Sequence, residues 1–312
     1  MNLFKFTFLI LLTTILSCKK EDPSSSIAKQ SSPKFERLLY NNPGLVVDLG
    51  VGLWALPIPM DYDGDGDFDL LVSCKDVPFN GLFFFENSSG DSFPVFEPPV
   101  RVSEPIRDVQ VSYINGEPRY LQAGEELLDF KTAFTSNPKA LFPEDTFDKL
   151  HNKIRFNQWK YVDYENDGDL DIVVGIQDGE DYGWDNAFDE HGNWTNGPLH
   201  GFVYLIENVK GTYKLRDKIL AGGEPIDVYG APSPSFEDFD NDGDLDIICG
   251  EFIDRFTWFE NIGSREKPVY AKGRFLNNDK GIITMDLEMI LPTALDWDKD
   301  GDIDLVVGDE DG

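Results

Sequence analysis

Four stretches of the chain carry an acid at every second position. They are Asp61, Asp63, Asp65, Asp67 and Asp69; Asp163, Glu165, Asp167, Asp169 and Asp171; Asp238, Asp240, Asp242, Asp244 and Asp246; and Asp296, Asp298, Asp300, Asp302 and Asp304. Glycine stands sixth in each (Gly66, Gly168, Gly243, Gly301) and an aromatic second (Tyr62, Tyr164, Phe239, Trp297). Carboxylates ~4 Å apart repel by about 1 kcal/mol per pair in water and by several times that when partly desolvated. A hard dication removes the conflict. Calcium takes six to eight oxygens, and the sixth-position glycine supplies the sharp turn that lets alternating side chains converge. The expected ligands are the side chains at positions 1, 3, 5 and 9 and the backbone carbonyl of position 7, with the position 7 carboxylates facing outward. Magnesium fits less well, because it keeps several waters.

A second group of residues has the types for acid–base chemistry. Lys149, His151, Lys153 and Arg155 alternate with other residues, and a strand would put all four on one face. The chain's formal net charge is −31, so this is a local positive island. It is read either as a solvated face balancing nearby acids or as a site for a uronate carboxylate or a sugar sulfate. Just downstream, Asp178 to His200 reads "DGEDYGWDNAFDEHGNWTNGPLH", about 20 residues more than the other repeats carry there. It holds two of the three histidines, His191 and His200, with Tyr182, Trp184, Phe188 and Trp194. The tryptophans Trp184 and Trp194 either pin the loop to the sheet beneath or offer faces to sugar rings. β-Elimination of a uronate needs a cation to neutralise the carboxylate, a base for the α-proton and an acid for the leaving oxygen. Lys153 and Arg155 would neutralise, His151 or His200 would act as base, and Tyr182 would protonate. No serine-hydrolase, zinc-protease or phosphate-loop signature is present. A non-catalytic module that captures glycan or a surface protein is the competing class.

The elements that position these residues are strands. Each acid loop runs into a β-branched or apolar tail: Leu70 to Val72, Ile172 to Gly175, Ile247 to Gly250 and Leu305 to Gly308. Position 12 is Val72, Val174, Cys249 or Val307, where an EF-hand or dockerin loop needs a glutamate and a helix. Some 20 residues beyond three of the loops stand Phe83 to Asn87, Tyr204 to Asn208 and Trp258 to Asn261, each ending in Glu-Asn. Pro94-Val95-Phe96 and Pro268-Val269-Tyr270 follow, with an earlier copy at Pro33-Lys34-Phe35. Between the first two loops, Asn115-Gly116 lies where another should be, and is read as a loop decayed to a hairpin turn. The repeat is then roughly 50 to 60 residues of four short strands, the signature of an all-β fold, a β-propeller. Cys74 and Cys249 sit in strand-like runs and read as buried free thiols.

These loops and strands resemble the FG-GAP/VCBS repeat family, in the calcium-loop form also seen in integrin α-subunit propellers. The resemblance covers residues 33–312. It implies a propeller whose Ca2+ loops staple each blade, and carries the ligand positions onto the four loops, with Glu165 departing from the usual aspartate. The last repeat stops at Gly312, just after its first strand, before any Phe-Glu-Asn strand. Either Pro33 to Asp48 completes the ring or the gene product is longer than these 312 residues, and the second is expected.

Ahead of the propeller, residues 1–17 read as a secretion signal with Lys5 and the apolar run Phe6 to Leu16. Ile15 to Cys18 resembles a bacterial lipobox, which implies lipidation of Cys18, and residues 18–32 read as a flexible tether. The Lys19-Lys20-Glu21-Asp22 run resembles the surface-export tags of Bacteroidetes lipoproteins. The expected location is the outer membrane, held only through the lipid, facing out. The strong negative charge excludes general binding to nucleic acid or anionic membrane.

Overall fold

The computed structural model describes residues 32–38, 49, 51–90, 93–151, 153–179, 188–193 and 195–310. Cys18 and the rest of 1–31 therefore lie outside the described residues, as do Tyr182, Trp184 and Trp194. Among the described residues no helix is long and apolar enough to cross a membrane.

Four antiparallel sheets each carry four strands laid out in chain order, and the third takes a fifth, Asp227–Val228, against its third strand. Blade one is Ala55–Met60, Asp69–Cys74, Gly81–Phe85 and Val100–Ser103. Blade two is Gln110–Ile114, Glu117–Gln122, Glu125–Leu127 and Pro138–Ala140. Blade three is Ile154–Val162, Asp171–Asp178, His200–Val209 and Thr212–Lys218, and blade four is Ser233–Glu237, Asp246–Gly250, Phe256–Phe259 and Arg274–Phe275. A fifth sheet has two strands, Leu291–Leu295 and Asp304–Gly308. The first strand of each sheet lies against the first strand of the next, and Leu291–Leu295 returns to Ala55–Met60. This is a β-propeller, as the repeat predicts.

Apolar burial follows the same circle. One cluster joins Ile58 and Leu71 to Val111 and Phe130. The next joins Leu121 to Trp159 and Ile172, and the third Val173 to Ile247. The fourth joins Ile248 and Trp258 to Ile290 and Leu305, and the fifth closes Val72 and Phe85 on Trp297 and Val306. Each seam between neighbouring sheets is thus filled by side chains from both, at about 25 cal/mol per Å² of apolar surface removed from water.

A backbone contact recurs at these seams. A Cβ on Gly175 would lie 2.3 Å from the Pro232 carbonyl oxygen, one on Gly250 2.2 Å from that of Ile290, and one on Gly308 2.2 Å from that of Ala55. Blade one has Ser73 at the matching place, and its hydroxyl uses the same proximity. It donates to the Ile106 carbonyl and accepts from the Ile106 N–H, both at 2.8 Å. Gly308 meeting Ala55 shows that the fifth sheet seats on blade one as the other sheets seat on their neighbours. The N–H groups of Trp54 and Ala55 also donate to the carbonyls of Glu310 and Asp309.

The proline–aromatic copies mark the outer part of each seam. Phe96 packs on Trp297 at 6.1 Å between ring centroids, and Tyr270 on Tyr164 at 6.4 Å. In both cases the partner is the second residue of the acid loop in the preceding sheet. Phe35 meets Phe239 at 6.2 Å in the same way, and its carbonyl accepts from Asn278 Nδ2. The N-terminal side of the described chain therefore contributes Phe35 to the fifth sheet.

Asn115 and Gly116 both have positive φ, 54° and 80°, and close the hairpin between the first two strands of blade two. That is the plain turn expected where the acid loop is missing. Cys74 and Cys249 are buried and unpaired with each other.

Candidate metal centres and the opposite face

All four acid loops join the first strand of a sheet to the second. The register pairs Met60 with Asp69, Val162 with Asp171, Glu237 with Asp246 and Leu295 with Asp304. The ninth residue of each loop is therefore also the first residue of a strand. Within the loops, Asn166, Asn241 and Lys299 at position 4 take φ of 58° to 60°, and the glycines at position 6 take 87° to 105°. Two left-handed residues in three turn the chain tightly enough that position 1 faces the later N–H groups. Asp238 accepts from the N–H groups of Asp242 and Gly243, and Asp296 from those of Asp300 and Gly301, at 2.9 to 3.1 Å.

Three loops gather carboxylates closely enough to hold a metal ion. One oxygen from each of Asp61, Asp63 and Asp69, of Asp238, Asp240 and Asp242, and of Asp296, Asp298 and Asp300 lies within 4.8 Å of the others. The second loop brings no such triad together among the described residues. There Glu165, one methylene longer, hydrogen-bonds Asp171 instead, and burial followed by the Asp171 charge pushes its pKa up to about 7. Loop three is the most buried. Burial lifts Asp246 to about 7 and, with neighbouring carboxylates, lifts Asp240 and Asp244 to about 6. Asp67 in loop one is raised to about 6 by the same two causes. Crowded acids that resist ionisation are the electrostatic demand that a dication would meet.

Two details differ from the sequence expectation. Position 7 does not uniformly face outward: Asp244 is buried, Asp67 and Asp169 are half-buried, and only Asp302 is exposed. The loop curls inward past its glycine and carries the seventh side chain with it. Position 9 in turn has a second task. Asp69 accepts from the N–H groups of Tyr62 and Asn87, Asp171 from those of Tyr164 and Asn208, and Asp246 from that of Asn261 and from the Trp258 indole. The Asn87 and Asn208 amides donate back to the Phe68 and Leu170 carbonyls. The Glu-Asn endings of the third strands are thus explained: the asparagine clamps the loop to the blade. In loops three and four the converging triad is accordingly positions 1, 3 and 5. Asp65, Asp167, Asp169, Asp302 and Asp304 line the loops without belonging to a triad.

Cations from neighbouring sheets hold the loop backbones. Lys131 donates to the Asp61 carbonyl and Lys299 to that of Gly66, at 2.8 and 2.9 Å. Arg265 donates to the carbonyls of Asp163 and Tyr164.

The histidines and Arg155 belong to the other face. Ile154–Val162 runs from that face to the acid loops, a separation of roughly 27 Å at about 3.3 Å per residue. The four alternating basic residues do not share a strand face. Thr146–His151 is a helix, and the strand begins only at Ile154. Asp148 in its first turn, with Lys149 and His151 in its last, complements the helix dipole, and the Thr146 hydroxyl donates to the Pro143 carbonyl. The four side chains consequently diverge. Lys149 pairs with Asp145, and the Lys153 backbone carbonyl accepts from Gly179. His151 lies between Asp178 Oδ2 at 2.9 Å (Nδ1) and the Tyr204 hydroxyl at 2.7 Å (Nε2).

Arg155 turns toward the propeller axis. Its guanidinium lies 4.9 Å from the Trp54 ring centroid, 5.8 Å from Phe156 and 5.5 Å from Phe252. Lys75 stands 4.6 Å from the same Trp54 ring and pairs with Asp108 at 3.0 Å. Trp54 stacks on Phe156 at 5.1 Å, and Ala231 and Met289 complete the cluster from the remaining sheets. The axial mouth on this face is therefore aromatic and cationic.

His200 is about one-third exposed and bonds Asp227 Oδ2 through Nδ1 at 2.7 Å. Its ring and that of His151 each stand 5.9 Å from Phe202, over which the Lys218 ammonium lies at 3.2 Å. His191 is exposed beside Glu190. Sequence reasoning missed Tyr204, Asp178, Asp227, Trp54 and Lys75. Tyr204 was hidden as the first residue of a Glu-Asn strand, and Trp54 and Lys75 sit outside any repeat motif. No protein-family model matches the chain, and no curated protein matches it.

Proposed function

We propose that this chain is a calcium-stapled propeller of FG-GAP/VCBS type that binds an extracellular acidic polysaccharide. It would be anchored through lipidated Cys18 at the outer surface of a bacterium. Calcium is favoured in the triads because carboxylates on a turning loop suit a large oxygen-seeking ion. The observation that carries the binding reading is the Arg155, Lys75, Trp54 and Phe252 cluster at the axial mouth. In a chain of net charge −31, it sets two half-buried cations beside half-buried rings, where a uronate or sulfated sugar would find a partner for its anion and one for its apolar face. Calorimetric titration with a uronate and a sulfated polysaccharide tests it. Wild type should bind one of them, and R155Q and W54A should each lose affinity with the fold intact. Equal binding by both variants would overturn the site.

A second reading, β-elimination, draws support from the Asp178–His151–Tyr204 chain. A carboxylate that orients an imidazole against a phenol is a proton-transfer arrangement. Tyr204 is buried and His151 is half-buried with both ring nitrogens engaged, and Arg155 points to the axis, so this reading would pass the base role to His200. Ultraviolet absorbance of an unsaturated product, lost in H200A, would support it. Binding with no such product at any pH would remove it.

A further inference from the structure

We propose that Lys160 is the covalent anchor of a site for a small hydroxylated aldehyde, in the axial cavity on the side of the acid loops. This is separate from the polysaccharide reading and from the metal triads. The cavity has a volume of about 630 Å³ and lies between the first strands of blades two, three and four, with Ser112, Lys160, Ser235, Glu237 and Arg265 among its lining. That is the size of a small-molecule site, and its polar lining suits a ligand bearing hydroxyls.

Lys160 is 6% exposed. Its Nζ donates to Ser235 Oγ at 2.9 Å and to the Pro292 carbonyl at 3.0 Å. Among the described residues no carboxylate stands within ion-pair distance of it; the charge of Glu237, in the same lining, acts from farther away and opposes the effect of burial. A buried ammonium without a paired carboxylate costs several kcal/mol, and the amine responds by giving up its proton. Burial indeed brings its pKa down from 10.5 to about 7. A neutral amine has two N–H bonds, and Ser235 Oγ and the Pro292 carbonyl accept one each. The lone pair is what remains, and it belongs to a desolvated nucleophile in a cavity.

The chemistry balances without a co-reactant. Nζ attacks the aldehyde carbon, the C–N bond forms, and the carbonyl π pair moves to oxygen. That oxygen takes a proton from the attacking nitrogen, which Ser235 Oγ holds in place as an acceptor while its own hydroxyl donates to the Pro292 carbonyl. The carbinolamine then loses water, with its C–O bond breaking as the nitrogen lone pair forms the C=N bond and the remaining N–H proton leaves with the hydroxide. One amine and one aldehyde give one imine and one water.

The test uses the whole chain with glyceraldehyde and cyanoborohydride at neutral pH, followed by peptide mass spectrometry. Lys160 should carry the reduced adduct about tenfold or more above exposed Lys34, Lys210 and Lys280, whose amines stand in water rather than in a cavity. S235A should slow labelling of Lys160 severalfold. K160M, which removes only a buried polar group, should fold and show no preferred adduct. Adducts spread over the surface lysines with Lys160 unmodified would overturn the proposal and leave Lys160 as a tie between strands.

Discussion

Stripping divalent ions should reverse the usual pH dependence of a protein's stability. Asp246 is 1% exposed and its pKa is lifted from 3.8 to about 7. Over that window the folded chain without metal holds a proton that the unfolded chain has released. Stability changes with pH in proportion to protons bound by the unfolded state minus those bound by the folded state, so the slope is negative. The contribution is fully present below pH 3.8 and is lost as pH rises through about 7. A shift of three units corresponds to roughly 4 kcal/mol. Asp240 and Asp244, raised to about 6, act with the same sign over a narrower range. At about 2 °C per kcal/mol for a domain of this size, EDTA-treated protein should melt about 8 °C lower at pH 7.5 than at pH 4.5. Saturating calcium should narrow the difference, because an ion held by Asp238, Asp240 and Asp242 would favour the ionised form of the carboxylates around it. Differential scanning calorimetry at the two pH values, with and without calcium, provides the measurement. A melting temperature for the stripped protein that rises between pH 4.5 and 7.5, or that ignores EDTA at pH 7.5, would refute the reasoning.

Other outcomes follow from single contacts. G250A should cost about 2 to 4 kcal/mol in urea unfolding, because its Cβ would sit 2.2 Å from the Ile290 carbonyl oxygen and neither backbone can yield. S73A should cost about 2 kcal/mol, the loss of two buried hydrogen bonds to Ile106. D240N should weaken calcium binding in isothermal titration about tenfold at one site, whereas D302N, whose side chain is exposed and outside the triad, should leave every site within about twofold. N87A should destabilise the protein by about 1 to 2 kcal/mol with its metal stoichiometry unchanged, since Asn87 holds the loop through hydrogen bonds rather than the ion.

The propeller was legible because its signals are local and repeated. Alternating carboxylates with glycine at a fixed place, followed by apolar strands, leave little choice of fold, and Asn115-Gly116 announced its turn by residue type alone. The fate of Lys149, His151, Lys153 and Arg155 was not legible. Alternation over seven residues also suits the end of a helix, and Pro143-Glu144-Asp145-Thr146 carried the competing start signal. Which way position 7 faces depends on how far a loop sinks between two sheets, as Asp244 and Asp302 show by differing. The pairing of Arg155 with Trp54 and of Lys160 with Ser235 joins distant sheets, and no spacing within one repeat encodes it.

The glycine seams limit what can vary in this ring. Where main chain rests on main chain, the angle from one sheet to the next is set by atoms that every amino acid shares. Exterior loops can then be rewritten, even to the point of discarding an acidic turn altogether as blade two has done, while the circle keeps its count. Permuting the chain to begin at blade two should accordingly yield the same circle with its opening moved.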